Sequence, residues 1–296
     1  MKSYHDITHD GGSDVAGQVA GRDQKLTDRL SAVRHIVAVM SGKGGVGKSA
    51  MTVNLATALA LRGLRTGIVD ADINGASVVR MTGVSRALPE TGDGLTPPVS
   101  KAGVKVMSID LFLPEGRAVK WDAPSQEHAY AWRGMAEVNA IREMVADTTW
   151  GELDVLFVDL PPGTDKLPNL HDIIDRISAA VVVSIPSPAS RYVVRKSIDL
   201  AREVIGSRPI CLVDNMASFE CTDCGSVHAL YAAPDDHLEG TIKLGDVPFD
   251  PSFGALLDAG RPEEALSGNG PAARGVSRIA DQLLPVLEAT IQPMPQ

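Results

Sequence analysis

The chain has 296 residues, 44% of them apolar and 22% charged, which suits one large α/β domain or two small ones. A formal net charge of −9 and an aromatic share of 4% weigh against a broad nucleic-acid or anionic-membrane surface. No apolar run is long enough to span a bilayer, Met1 to Gly21 has no apolar signal core, and the cysteines, 3 in all, make no disulfide framework, so a cytoplasmic protein is expected.

Residues 1–24 lack an apolar period and read as a flexible tail, with the folded domain expected from 25 to 296. Lys25 to Arg34 suggests a short helix leading into a strand, His35 to Met40. Next comes Ser41-Gly42-Lys43-Gly44-Gly45-Val46-Gly47-Lys48-Ser49, which fits G-x-x-x-x-G-K-[ST] with Gly42, Gly47, Lys48 and Ser49 at the fixed positions. Glycines let such a loop turn its N–H groups onto a phosphate, and the helix that follows offers its positive end to the same anion. Lys48 is placed to bridge the outer phosphates and the Ser49 hydroxyl to ligate Mg²⁺. That helix is expected to run to about Arg62, with Gly63 as its stop.

Thr66 to Asp72 reads as a short strand ending in two carboxylates, Asp70 and Asp72. Residues 85–101, rich in Pro and Gly, read as a loop, Val104 to Leu113 as a strand, and Arg133 to Asp147 as a helix. Asp154 to Asp159 is an apolar strand ending in a carboxylate, the usual second Mg²⁺ anchor of phosphate-loop enzymes, and Gly163 just beyond it marks a candidate switch. Ala179 to Ile185 and Pro209 to Val213 read as strands around a helix from Ser190 to Ile205. A last strand, Thr241 to Val247, precedes a helix from Arg274 to Leu287 that should break near Pro285. Strands alternating with helices imply a doubly wound, mostly parallel sheet with helices on both faces.

Several stretches together resemble the Mrp/ApbC family of iron–sulfur cluster carriers, deviant phosphate-loop ATPases of the MinD/ParA superclass. The loop carries a second lysine, Lys43, in the form K-G-G-x-G-K-[ST]. Val69 to Ser77 is similar to the family's D-A-D-I-x-G-P-S, Trp132 to Met135 to W-R-G-P-M, and Trp150 to Asp154 to W-G-x-L-D. Val158 to Thr164 is similar to the D-x-P-P-G-T switch, and Asp214 to Gly225 to E-N-M-S-x-F-x-C-P-x-C-G. The resemblance covers about residues 30–285. The chain departs from it at Ala50, at Thr222 and at Asp165-Lys166, where the family carries Thr, Pro and Gly-Asp.

The resemblance implies a phosphate-loop NTPase fold and a Mg²⁺-dependent ATPase. Gly42 to Ser49 would bind the nucleotide, including Gly44, Gly45 and Val46, and Asn215 would recognise adenine. Lys43 would reach the nucleotide of a partner subunit in a homodimer. Asp72 would position the attacking water, and Ser49 and Asp159 would hold Mg²⁺. Cys221 and Cys224 would bind half of a cluster.

A 4Fe–4S cluster takes four thiolates, and two chains on a two-fold axis would supply them. The residues alone leave zinc equally open, because Cys221-x-x-Cys224 resembles a zinc knuckle and His228 follows at close spacing. Cys211 reads as a core residue. The leading expectation is an ATP-dependent carrier that delivers a bridging cluster to apo-proteins and binds neither nucleic acid nor membrane. The alternatives are a MinD/ParA-like positioning ATPase and a regulatory ATPase stapled by zinc.

Overall fold

The computed structural model describes residues 15–117, 119, 129–164, 166–221, 223–232 and 238–290. Asp165 and Thr222 lie outside the described residues, as do residues 1–14 of the expected tail.

Elements follow in the order α1 (Val15–Leu30), β1 (Val33–Met40), α2 (Lys48–Ala60), β2 (Thr66–Asp70), α3 (Val78–Thr82), β3 (Glu90–Thr91), β4 (Gly94–Leu95) and β5 (Lys105–Ser108). They continue with α4 (Ala129–Asp147), β6 (Leu153–Asp159), α5 (Lys166–His171), β7 (Ala179–Ser184), α6 (Pro188–Ile205) and β8 (Ile210–Glu220). The chain closes with β9 (Val227–Ala229), β10 (Ile242–Phe249), α7 (Pro251–Asp258), α8 (Pro262–Ser267) and α9 (Pro271–Ala289).

The main sheet runs β10-β8-β7-β1-β6-β2-β5, with β9 attached to β8. Every pair along that path is parallel, and only β9 is antiparallel. The central strands are apolar and rich in Val, and β2 and β7 are buried along their whole length, as a sheet covered on both faces requires. Register carries the function. Val39 of β1 and Asp70 of β2 both pair with Asp159 of β6, so the strand that feeds the phosphate loop ends level with two carboxylates.

Trp150 and Gly151 pack the opposite end of the sheet, where β2 and β6 begin. The Trp150 indole is fully buried and donates to the Val145 carbonyl at 3.2 Å. It also lies against Gly67, where an added Cβ would come within 3.3 Å of the ring. Gly151 turns the chain at φ 60, and Asp154 then pairs with Arg65.

The structure departs from the sequence expectations at several places. α1 begins at Val15, inside the expected tail, and it buries Leu26 and Leu30. The expected loop at 85–101 contains the β3–β4 hairpin. The strand expected to reach Leu113 stops at Ser108, whose hydroxyl accepts from the Asp110 N–H at 3.2 Å and starts a 3₁₀ turn. β8 continues well past Val213, to Glu220.

At Met216 β8 adopts φ 52, a left-handed conformation that costs a non-glycine residue of order 1 kcal/mol or more. The ladder slips at the same point: Asn215 pairs with Val247, and Phe219 already pairs with Phe249. The bulge bends the strand toward the β8–β9 hairpin.

α9 runs through the exposed Pro285 without ending. Apolar residues on both sides of the proline, Leu283 and Leu287, are buried and hold the helix against the sheet. Pro285→Ala restores a backbone N–H and should stabilise the protein by up to about 3 kcal/mol. Urea unfolding of the two proteins measures this, and an unchanged midpoint would show that the helix has relaxed around the proline.

Candidate nucleotide site and dithiol hairpin

The loop between β1 and α2 needs its glycines for definite reasons. Gly45 and Gly47 have φ 78 and 83, in the left-handed region. A Cβ on Gly47 would meet Asn215 Nδ2 at 2.2 Å, and one on Gly42 would meet Val193 Cγ1 of α6 at 2.7 Å. The Ser41 hydroxyl donates to the Lys43 carbonyl at 3.0 Å and the Gly163 N–H to the Ser41 carbonyl at 3.1 Å, so the candidate switch touches the loop's first residue. Lys43 and Ser49 are half-buried and Lys48 is buried.

Lys48, Ser49 and Asp159 converge. The Lys48 ammonium lies 2.8 Å from Asp159 Oδ1, and the Ser49 hydroxyl donates to Asp159 Oδ2 at 2.5 Å. A further partner was not visible in the sequence. Thr52, one turn along α2, donates to Asp159 Oδ1 at 2.7 Å. The hydroxyl of Ser49 beside a buried carboxylate is an oxygen-only donor set, which suits Mg²⁺.

Asp70 sits beside this cluster, fully buried. Its carboxylate accepts from the N–H groups of Asp72 (3.2 Å), Ser77 (3.2 Å) and Val78 (3.3 Å), and from the Ser108 hydroxyl (3.1 Å). Burial and the nearby Asp159 charge still push it up to about 7, against the hydrogen bonds and the Lys48 charge. Asp72, on the connection to α3, is also raised, chiefly by burial, and accepts from the Gly75 N–H at 3.2 Å.

Asn215 lies on the other side of the loop. Its amide Nδ2 donates to the Val46 carbonyl at 2.9 Å. From there β8 leads to the hairpin that carries the cysteines. Phe219 pairs with His228 and Glu220 with Val227 across it, and Glu220 is held by Arg274 at 2.8 Å. The Cys221 N–H donates to the Ser226 carbonyl and the Gly225 N–H to the Cys221 carbonyl, each at 2.9 Å, closing a tight turn.

Cys224 is exposed and its thiol lies 3.2 Å from the Ser226 hydroxyl. Hydrogen bonds from the Ser226 side chain and backbone, with Cys221 beside them, hold the Cys224 thiol below its ordinary value. The thiolate is the form that binds metal. Among the described residues no three His, Cys, Asp or Glu side chains assemble as a metal site, so His228 does not join the two thiols within one chain. Cys211 is buried in the core and pushed up to about 12 by burial.

The Asp70 carboxyl titrates near 3.8 when exposed and is raised to about 7 in the fold, so the folded chain binds its proton more tightly. The associated stability is complete below the lower value and is lost as pH rises through the upper one. Nucleotide-free protein should therefore lose up to about 1.4 kcal/mol of unfolding free energy per pH unit across that window. Asp70→Asn should flatten the slope, whatever its absolute stability. Denaturant titrations across the window test this, and equal slopes would place the titration elsewhere.

Comparison with known proteins places the whole chain in a family. The ParA family described as NUBPL iron-transfer P-loop NTPase matches residues 32–284. An iron–sulfur cluster carrier protein of Saccharolobus solfataricus is 36% identical over 281 residues, 93% of this chain and 91% of that protein. A cytosolic Fe-S cluster assembly factor of Chaetomium globosum is 32% identical over 274 residues, 85% of this chain and 87% of that protein.

Among solved structures, a nucleotide-binding protein of Archaeoglobus fulgidus in complex with ADP is 32% identical, with a TM-score of 0.67, covering 82% of this chain and 93% of that one. The cell division ATPase MinD of Pyrococcus furiosus shares the fold, with a TM-score of 0.56 at 20% identity over 86% of this chain and 99% of that one. Among the described residues no helix is long and apolar enough to cross a membrane. With its doubly wound sheet, two-lysine loop and C-x-x-C hairpin, the chain belongs to the ParA-type iron-transfer P-loop NTPases, the family of the Mrp/ApbC iron–sulfur cluster carriers.

Proposed function

We propose that this chain is a cytoplasmic Mg²⁺-dependent ATPase that holds a 4Fe–4S cluster between two copies of itself and delivers it to apo-proteins. The observation that carries the reading is β8, one strand that touches the phosphate loop through Asn215 and ends at the hairpin bearing Cys221 and Cys224. The relatives named as iron–sulfur carriers and assembly factors support it.

Each residue has a definite task in this reading. Loop N–H groups from Gly42 to Ser49 and the Lys48 ammonium take the phosphates, and Ser49 and Asp159 hold Mg²⁺, which offsets charge on the outer phosphates. Asp72 orients the attacking water, and its raised proton affinity suits it to accept a proton better than an exposed carboxylate would. Asn215 meets the adenine. Lys43 supplies a second cation from the partner copy, where charge develops in the transition state. The cluster is cargo, and four thiolates from two copies meet its need. The exposure of Cys224 leaves the cargo reachable by an acceptor.

Anaerobic addition of iron and sulfide to the full chain should give a visible charge-transfer band and one cluster per two chains. The Cys221→Ser/Cys224→Ser variant should give neither, and an identical spectrum from it would sink the carrier reading. Lys48→Ala and Lys43→Ala should each abolish turnover, with ATP binding weakened more by the first. Equal loss of binding in both would argue against action of Lys43 across the dimer.

A further inference from the structure

A buried ion pair stands directly behind the residue assigned to the base. Arg191, in the first turn of α6, places Nη2 2.6 Å from Asp214 Oδ2, with side-chain exposures of 7% and 1%. Lys243 of β10 approaches the same oxygen at 3.3 Å. Satisfaction of the pair is incomplete: Arg191 Nε and Nη1 and Asp214 Oδ1 have no hydrogen-bond partner among the described residues. Such a pair adds little to stability, and an apolar replacement of similar volume is often neutral or stabilising. Its position suggests what it does instead.

A sequence neighbour of each partner packs against the nucleotide loop. Asp214 immediately precedes Asn215, whose Nδ2 donates to the Val46 carbonyl inside that loop. Two residues beyond Arg191, Val193 lies where a Cβ on Gly42 would collide with it at 2.7 Å. The root of the arginine is itself fixed. Ser187 caps α6 by accepting from the Ser190 N–H at 3.2 Å, and the Ser190 and Ser184 hydroxyls are 3.1 Å apart.

The Val46 carbonyl can only accept, so it forces the amide nitrogen of Asn215 toward the loop and turns Oδ1 away from it. An Oδ1 held in that orientation accepts from an exocyclic amine, which adenine offers at its six-position. It repels the carbonyl that guanine has there.

We infer that Arg191 is a positioning residue: through Asp214 it holds β8 where the Asn215 amide meets the Val46 carbonyl, and so keeps the amide orientation that selects adenine over guanine nucleotides. The inference rests on the ATPase reading and on Asn215 meeting the base. Arg191 itself touches neither nucleotide nor metal in this assignment.

The test measures MgATP and MgGTP affinity and thermal midpoint on the full chain. Arg191→Met/Asp214→Leu should keep the midpoint, bind ATP about tenfold more weakly, and lose its preference over GTP. Asn215→Ala should show the same loss, and adding the pair substitutions to it should change nothing further, since both act on one contact. Should the double variant not fold, Asp214→Asn keeps the volume, removes the charge that Arg191 grips and should lose the same discrimination. Unchanged discrimination in the folded pair variant, or in Asp214→Asn, overturns the inference while leaving the ATPase reading intact. A wild-type chain that binds neither nucleotide overturns both.

Discussion

The contact on which the rest depends is the one between Lys48 and Asp159, 2.8 Å apart and almost wholly out of solvent. A lysine at the base of a flexible glycine loop would ordinarily keep its charge in water. It is held inside because β6 lies between β1 and β2, and their parallel register brings Asp159 level with the end of the strand that feeds the loop. Ser49 and Thr52 donate to the same carboxylate. The order of strands, the length of β1 and the first two turns of α2 are thus constrained by one ion pair. Asp70, crowded against the same charges, is the member of the group that is pushed toward neutrality.

A second constraint runs along β8. The strand is buried from Ile210 to Asp214 and only half-buried from Asn215 to Glu220. The change falls where Met216 turns left-handed and the ladder with β10 slips. One covalent segment therefore belongs to the rigid sheet at one end and to a bent hairpin arm at the other. Asn215 lies at the junction, against the loop. Arg274 grips Glu220 at the far end, so the arm is bent but not loose.

The nucleotide loop was legible in the sequence because its chemistry is local. Positive φ at Gly45 and Gly47, and the Lys48-Ser49 pair, are demands on adjacent residues, and they leave a contiguous signature. Asp159 could be read from the apolar run before it. The role of Thr52 could not, since its hydroxyl meets a carboxylate that is distant in sequence, and in the helix it reads as filler. Arg191 and Asp214 were silent for the same reason: each alone looks like a surface charge, and only the packing of α6 on β8 buries them together. The start of α1 at Val15 was missed because the sequence there lacks an apolar period, and the described side chains that bury themselves, Leu26 and Leu30, lie near the other end of the helix. The end of β8 was missed because its last half is polar and only its pairing with β9 and β10 marks it as strand. Trp150 and Gly151 were read as a family mark, and the structure gives them a packing task at the sheet end.

Among its described residues, the hairpin at Cys221 to Gly225 contributes no buried apolar side chain to the core, and its turn is closed by backbone hydrogen bonds that make little demand on side-chain identity. Substitutions there change what the tip can hold while leaving the folding of the sheet almost untouched. The nucleotide-binding core and the dithiol tip are thus open to separate evolutionary histories. A lineage could lose its thiols or exchange them for other side chains, and natural selection would still have an intact nucleotide-binding core on which to act.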